Sequence, residues 1–315
     1  MSAPRGSKEY IQFADPAVEA VCVANFSSDG IGLTMQDAAA VTSAQFRGKF
    51  AGNTNIVSFE EFQYFTGVNT LYENGGFNGC SNLAALILPD TMQSLGWNSL
   101  ACPSLVGTFF LPALVTELTR GVMDGTTALT NLVCLAPSAD IFFMSSGNGT
   151  GILYTRNLFS ATRYINANYK HIIIDGTLTA TAVDWLFQEG SVESIRINGN
   201  YLAPNGSVVF RNTSKPVLFV EMNGTTSAKL MPTDNGYHSG AILHLGYNGV
   251  AGTAANLHNS YLSKIYVGTG ESQVADQAVL NQYLADPDWA QYSSKLDIWY
   301  NYNGQYKNWP TIPTA

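Results

Sequence analysis

Paired carboxylates are the residues of this sequence most suited to hydrolytic chemistry. Glu60 and Glu61 are adjacent, and Asp184, Glu189 and Glu193 form a second group. Two carboxylates cleave a glycosidic bond only when they converge on one cleft. Adjacent side chains diverge on most elements, and the second group falls where a solvated helix face is expected. A polysaccharide-cleaving enzyme therefore ranks third among our hypotheses, and we predict a protein that is not an enzyme.

The histidines do not form a recognisable catalytic or zinc pattern. His238 and His244 are six residues apart, which does not match zinc spacing on a helix, and His244 alternates with Leu243 and Leu245 on a predicted strand. The sequence contains no nucleophile elbow, phosphate loop or dinucleotide fingerprint. We therefore predict no cofactor.

A loop near the N-terminus has the length of a calcium-binding loop but few of its ligands. It runs from Asn25 to Gln36 between two predicted helices, and Gly30 is its sixth residue. The weak candidate metal ligands are Asn25, Ser27 and Asp29, and Gln36 replaces the bidentate glutamate. One carboxylate holds Ca²⁺ poorly against its hydration shell. We expect a structural loop without Ca²⁺.

The elements that would position any site recur along the chain. In Gly79–Pro89 the apolar residues Leu83, Leu86 and Leu88 have the spacing of a leucine-rich-repeat strand, which buries its apolar face only by stacking on further copies. Further copies follow at roughly 20–25 residues. Their apolar residues are Leu105 with Phe110, Leu129 with Leu132 and Cys134, Ile152 with Tyr154, Ile172 with Ile174, Ile195 with Ile197, Val217 with Val220, Leu243 with Leu245, and Ile265 with Val267.

This repetition predicts a mostly β fold with short helices: a leucine-rich-repeat-type solenoid of about nine parallel strands on one face, with helical caps at both ends. We assign residues 1–50 to a helical cap containing the EF-hand-like loop, 51–270 to the solenoid, and 271–315 to a helical C-terminal cap with an aromatic tail. Short helical segments are predicted at Ile56–Val68, where a hairpin is the alternative, and at Thr179–Glu189. Two C-terminal helices are predicted, one from Ser272 to Leu284 and one from Pro287 through Leu296.

Composition limits the partners and the compartment. The net charge is −8 and only 12% of residues are charged, so no basic cluster exists to neutralise nucleic-acid phosphates or an anionic membrane. The sequence contains no run of about 18 apolar residues, so it predicts no membrane-spanning helix. Cys80 and Cys102 occupy equivalent places in successive repeats, and we expect free core thiols rather than a disulfide. The first residues lack the apolar region of a signal peptide.

The binding hypothesis rests on the strand residues that lie between the apolar ones and so face outward. A solenoid sheet offers an extended surface, and its low charge suits a protein or surface glycan. The aromatic tail either packs on the C-terminal cap or docks on a partner. The candidate partner residues are Ala85, Ile87, His171, Ile173, Arg196, His244, Tyr266, Trp299, Tyr302, Tyr306 and Trp309.

The segment Phe77-Asn78-Gly79-Cys80-Ser81-Asn82-Leu83, with Leu88-Pro89, resembles the repeat signature of BspA-like leucine-rich repeat proteins. The EF-hand-like opening, Ile265-Tyr266-Val267-Gly268 and Trp289-Ala290-Gln291-Tyr292 also resemble members of this group from gut bacteria and their phages. Such members are mostly surface proteins that bind host molecules or other cells. The resemblance implies a non-enzymatic protein of a phage virion surface, contacting a host surface or neighbouring virion proteins. A secreted bacterial cell-surface adhesin is the alternative, and a homo-oligomer or larger assembly stays open.

Overall fold

The chain is a mostly parallel β-solenoid with few short helices. Its structure, a computed structural model, describes residues 8–119, 121–136, 139–140, 150–160, 169–180, 185–188, 192–202, 208–211, 219–227, 240–252 and 262–314. The solenoid predicted from the repeats is confirmed. None of the helices in these ranges has the length and apolar character needed to cross a bilayer.

Three short helices precede the strands: α1 (Pro16–Phe26), α2 (Met35–Ala40) and α3 (Ser43–Phe46). The residues Asp15-Pro16 predict a helix start, and the structure confirms it, because Asp15 Oδ1 accepts the backbone N–H of Ala17 at 2.8 Å and Pro16 is the first helical residue. Asp15 Oδ2 also accepts the N–H groups of Val57 and Ser58. This carboxylate therefore joins α1 to the first strand of the solenoid.

Twenty short strands follow in the described residues. They are β1 (Ser58–Phe59), β2 (Thr70–Leu71), β3 (Ala85–Leu86), β4 (Ser94–Leu95), β5 (Gly107–Leu111), β6 (Glu117–Leu118), β7 (Leu129–Cys134), β8 (Ala139–Asp140), β9 (Ile152–Thr155), β10 (Leu158–Ser160), β11 (His171–Ile174), β12 (Leu178–Ala180), β13 (Trp185–Gln188), β14 (Ser194–Ile197), β15 (Tyr201–Leu202), β16 (Val208–Arg211), β17 (Phe219–Met222), β18 (Ala241–Leu245), β19 (Leu262–Val267) and β20 (Leu296–Ile298).

One nine-stranded parallel sheet runs through most of the solenoid, in the order β5-β7-β9-β11-β14-β17-β18-β19-β20. Smaller parallel sheets join β1 to β3, β2 to β4 and β6, β8 through β10 and β12 to β15, and β13 to β16. The large sheet has nine strands, as predicted, but they are not the same nine segments. The Gly79–Pro89 segment contributes β3, which pairs with β1 in a separate sheet, and β20 is the ninth strand.

The predicted inward residues form a continuous core in most copies. Leu83, Leu86 and Leu88 are buried, as are the predicted pairs in β11, β14, β18 and β19. Tight parallel stacking of these rows removes their apolar surface from water, which is the main favourable term for such a fold. Cys80 and Cys102 are free and buried, as predicted, and burial raises the pKa of the Cys80 thiol to about 11.

In two of the predicted strands, residues that were predicted to face the core lie on the outer face of the sheet. In β5 the inward residues are Phe109 and Leu111, not Phe110, because the register against β7 shifts between Gly107 and Thr108. Gly107 has a φ of +73°, a left-handed conformation that favours glycine. A one-residue slip moves every side chain of a strand to its opposite face.

In β9 the inward residue is Leu153, and the predicted Ile152 and Tyr154 lie on the outer face. Ile152, Leu153 and Tyr154 are all apolar, so the sequence does not indicate which of them face the core. Val217 of the predicted pair with Val220 lies outside the described residues, and Val220 is buried in the core.

Three predicted helical segments are wrong or shorter. Ile56–Val68 contains β1 and a 3₁₀-helix at Glu60–Tyr64. Thr179–Glu189 contains the end of strand β12 and the whole of strand β13, because the backbone of β13 pairs in parallel with β16 rather than within a helix. Residues 181–184 and 189 lie outside the described ranges. The second C-terminal helix, α5 (Pro287–Ala290), ends before Leu296, which begins strand β20.

The last long helix, α4 (Gln273–Ala285), begins as predicted after Ser272, whose Oγ accepts the N–H of Ala275. Together with α5 it is tied to the preceding solenoid turn. Tyr283 Oη accepts the N–H of Ala251 at 2.9 Å, and Trp289 Nε1 donates to the carbonyl of Gly252 at 2.6 Å. These buried rings place the end of α5 so that the chain enters β20 beside β19.

Candidate binding surface

The outer face of the nine-stranded sheet has one continuous row of side chains in register. We call it the outer row. It consists of Phe110, Val133, Tyr154, Ile173, Arg196, Glu221, His244, Tyr266 and Asp297, one from each strand from β5 to β20. Register neighbours on one face of adjacent strands are close enough to interact directly.

The aromatic tail crosses this face. We call residues 299–312 the strap. Trp299 stacks on His244 with ring centroids 3.8 Å apart, and Tyr306 stacks on Phe219 at 4.5 Å. Ile312 packs against the cluster of Val133, Ile152, Tyr154 and Ile173. The tail therefore contacts the predicted C-terminal cap only at its start, where Tyr300 bonds to Asp276 of α4, and then packs on the chain's own sheet face.

A buried ionic cluster lies under the strap. Glu221 is only 3% exposed. Its Oε1 accepts Arg196 Nε and Asn223 Nδ2, both at 2.9 Å, and its Oε2 accepts Trp309 Nε1. His244 donates from Nε2 to the carbonyl of Gly268 at 2.8 Å, and its Nδ1 lies 3.7 Å from Glu221 Oε2.

These contacts set the ionisation of Glu221. Burial on its own raises the pKa of a carboxyl group, because it disfavours the charged form. The opposing interactions with His244, Arg196 and Asn223 are stronger here and lower the pKa of Glu221 to about 2. The cluster therefore holds an ionised carboxylate whose partners come from strands β14 and β18, from Asn223 just after β17, and from the strap.

The start of the strap is held by helix α4. Asp276, on the first turn of α4 and almost fully buried, accepts the N–H of Tyr300 at 2.9 Å and that of Gly270 at 3.0 Å. Gly268 lies against this carboxylate with a φ of +95°, and a Cβ at that position would lie 2.3 Å from Asp276 Oδ1. The turn after β19, helix α4 and the strap thus meet at one side chain.

At the β5 end of the sheet the strap is absent and the face opens into a groove of about 530 Å³. We call this the β3–β5 groove. Its walls are Ala84–Leu88 on the β3 side and residues of 105–112 on the β5 side, and Glu60, Gln63, Asp90 and Leu135 complete it. Ile87 is 43% exposed and Val106 is 54% exposed. The volume is within the roughly 300–1,000 Å³ of typical ligand sites.

The groove exists because β3 and β5 diverge. Val106 donates its N–H to the carbonyl of Ala84 at 3.1 Å, which brings the two segments together before β5 begins. Beyond that point β3 pairs with β1 and β5 pairs with β7. Within the described residues no backbone hydrogen bond joins β5 to β3, so the outer face is interrupted at this place.

The predicted partner residues divide between these two regions. Ala85 and Ile87 line the open groove. Ile173 and His244 are buried beneath the strap, and Trp299 and Tyr302 are buried within it, so the prediction of an open partner surface is wrong for these four. The half-buried members His171, Arg196, Tyr266, Tyr306 and Trp309 also contact one another or the cluster around Phe219 across the strap.

The predicted chemical groups do not come together in the described residues. Glu61 accepts the N–H of Ala14 at 2.8 Å, whereas Glu60 is exposed at the groove. Glu193 forms an ion pair with Lys170 at 3.3 Å, while Asp184 and Glu189 lie outside the description, as do His238 and His258. His171 Nδ1 lies 2.7 Å from Ser194 Oγ.

The EF-hand-like loop is organised by its own hydrogen bonds. Asp29 binds Lys8 Nζ and Tyr10 Oη, and these contacts, led by that with Lys8, hold the pKa of Asp29 far below its usual range. Asn25 Nδ2 donates to the carbonyl of Val21, and Ser27 Oγ donates to that of Gly32. The described residues contain no group of three or more His, Cys, Asp or Glu side chains placed to hold a metal ion.

Sequence reasoning missed Glu221 and Phe219. A signal was present, since Glu221 lies between Val220 and Met222 in a predicted strand, one period after Arg196 and one before His244. Aligning the outward positions of successive copies would have placed these three charged or polar groups side by side. No protein-family model matches the chain, and no curated protein or solved structure matches it either.

Proposed function

We propose that this chain is a non-enzymatic solenoid that binds another protein through the β3–β5 groove, as a surface component of a phage particle. The proposal rests on one observation: part of one sheet face is covered by the strap and part of it is open. The strap covers the row from β7 to β19, yet leaves an apolar groove open at β5. Exposed apolar clusters of this kind mark interaction sites on soluble proteins.

The remaining architecture supports a rigid scaffold role. We assign the leucine-rich-repeat type to the solenoid from the Phe77–Pro89 signature. The α1–α3 segment and the α4–α5 pair act as caps, because a solenoid with uncovered terminal strands would pair edge to edge with other chains. Asp15 at β1 and the rings of Tyr283 and Trp289 near β19 attach these caps.

Placement on a phage particle rests on the BspA-like resemblance and on the low surface charge. A bacterial cell-surface adhesin is the alternative, and the two share the same groove. Immunogold electron microscopy of the native source with antibodies against this chain separates them. Gold on virions supports the first proposal, gold on cell envelopes supports the adhesin, and gold in neither place overturns surface display.

The binding role is tested separately. A fluorescently labelled chain should bind purified particles or host cells, and Ile87→Lys should reduce that binding at least tenfold. Ile31→Lys is the matched control, because Ile31 is also exposed but lies outside the groove. Equal binding by both variants would contradict the assignment of the groove.

The polysaccharide-cleaving alternative gains little from the geometry. Glu61 is bound to the backbone of Ala14, and the groove carboxylates Glu60 and Asp90 are exposed. A general acid carboxyl of a glycosidase usually lies in an apolar enclosure. Turnover of any glycan that is abolished by Glu60→Gln would revive this hypothesis and overturn ours.

A further inference from the structure

We propose that the occupant of the β3–β5 groove is an extended, apolar polypeptide segment that carries a Lys or Arg and lies with its backbone along the open edge of β5. This inference deepens the proposed function and rests on it. Three independent features of the groove define the occupant: its backbone edge, its apolar walls and its charge.

The backbone edge calls for a polypeptide. The carbonyl of Leu111 accepts the N–H of Leu135, the residue after β7, at 2.9 Å, so the alternate residues Phe109 and Leu111 direct their backbone groups toward β7. In a parallel strand the intervening residues direct both backbone groups to the opposite side. Thr108 and Phe110 therefore direct their N–H and C=O groups toward β3, and in the described part of the chain no backbone partner meets them there. An added strand satisfies such an edge.

The apolar walls continue an interface that the chain already makes with its own strap. Phe110 and Leu135 pack against the same cluster of Val133, Ile152, Tyr154 and Ile173 that Ile312 contacts, and both also line the groove. The groove therefore adjoins the cluster that Ile312 covers. A second segment of apolar side chains would extend the covered surface over Ile87 and Val106.

The charge of the groove selects a basic segment. Among the described residues, Glu60 and Asp90 are the ionisable ones that line it, both are exposed, and no described Lys, Arg or His lines it. A Lys or Arg on the occupant would pair with these carboxylates. Charge complementarity of this kind contributes more to specificity and association rate than to affinity.

The test selects ten-residue peptides from a displayed library on the immobilised full-length chain. We expect enrichment of peptides with alternating apolar residues and a Lys or Arg. Affinity for the selected peptides should fall at least tenfold in Ile87→Lys and stay unchanged in the Ile31→Lys control. Failure to select any peptide, or equal affinity for both variants, overturns the inference.

A charge exchange tests the basic residue. The double variant Glu60→Lys, Asp90→Lys should select acidic rather than basic peptides. The variant Glu117→Lys, Glu271→Lys changes the net charge equally at exposed positions outside the groove and should still select basic ones. The same selection by both variants contradicts the role of Glu60 and Asp90.

The edge pairing has its own measurement. Saturation with a selected peptide should slow the hydrogen exchange of the Thr108 and Phe110 amides at least tenfold. N-methylation of alternate peptide residues should weaken binding by a similar factor. Unchanged exchange together with tolerance of every N-methyl group would contradict strand addition.

The outcomes also separate this inference from the proposed function. If Ile87→Lys abolishes binding to particles or cells while no peptide is selected, the groove binds a partner that is not an extended peptide, and only this inference fails. If labelled chain binds neither particles, cells nor peptides, both fail.

Discussion

From β7 to β19 the outer row lies beneath the strap, whereas at β5 the same row opens into the β3–β5 groove. The covered region contains Arg196, Glu221 and His244, and the buried Glu221 carboxylate bonds to Arg196 and Trp309 and lies 3.7 Å from His244 Nδ1. The open region has apolar walls with two exposed carboxylates at Glu60 and Asp90. One repeated strand thus supports two different surfaces, and the difference depends on which strands residues 299–312 cover.

The comparison also separates stability from recognition. A buried carboxylate left without its partners would cost several kcal/mol, so the strap is part of the folded structure. The groove has no such requirement, because its carboxylates Glu60 and Asp90 are exposed to water. Substitutions under the strap should therefore affect unfolding, and substitutions in the groove should affect binding.

The largest difference is expected between two phenylalanines. Phe219→Ala removes a fully buried ring that stacks with Tyr306 and Trp299, and should lower the free energy of unfolding by about 3–5 kcal/mol. Phe110→Ala, in the half-open groove, should cost about 1 kcal/mol, since less of its surface leaves water. Equilibrium denaturation in urea compares them. Equal losses would show that the groove is packed as tightly as the strap.

Acid should weaken the covered region through Glu221. Its pKa is lowered from the ordinary 4.5 to about 2, so the stabilisation is complete above about pH 4.5 and disappears as the pH falls to about 2. The shift corresponds to roughly 3 kcal/mol. Glu221→Gln should lose about that amount at pH 7 and show a flatter acid limb. Glu60→Gln, at the groove, serves as control, and an identical pH profile for both variants would contradict the ionised cluster.

The hydrogen bond between the strap and the cluster should have a smaller effect. Trp309→Phe keeps an aromatic ring but removes the N–H that Glu221 Oε2 accepts, which should cost about 2 kcal/mol. Trypsin should then cleave after Lys307 faster, because the strap detaches more often. Trp97→Phe, at a partly exposed position, is the control. An unchanged cleavage rate would mean that Trp309 does not hold the strap.

The smallest effect on folding is expected at Ile87. Ile87→Asp should change the free energy of unfolding by less than about 0.5 kcal/mol, as is usual for exposed positions. Thermal unfolding followed by circular dichroism measures it against Ile31→Asp. A loss above about 2 kcal/mol would show that Ile87 is buried and that the β3–β5 groove is not open.

Much of the scaffold was predictable from the chain alone. The spacing of Leu83, Leu86 and Leu88, and its recurrence, determined a stacked parallel β-solenoid, because such strands bury their apolar faces only against further copies. Asp15 before Pro16 and Ser272 before α4 likewise specified two helix starts, since capping depends on residues close in sequence. The inward pairs of β14, β18 and β19 followed from alternation with Arg196, His244 and Tyr266, whereas the pair in β11, which lies in a run of apolar residues, followed only from the phase of the repeats.

Tertiary structure decided the faces and the site. Ile152-Leu153-Tyr154 is apolar at every position, and the shift at Gly107 moved β5 by one residue, so local pattern could not choose which side faced the core. The contact between Trp309 and Glu221 joins residues far apart in sequence. The tail's aromatic residues fit a cap, a partner or a sheet face equally well by composition. The placement of β20 by the helices before it directs the strap across the outer row, and the separate pairing of β3 with β1 and of β5 with β7 opens the β3–β5 groove.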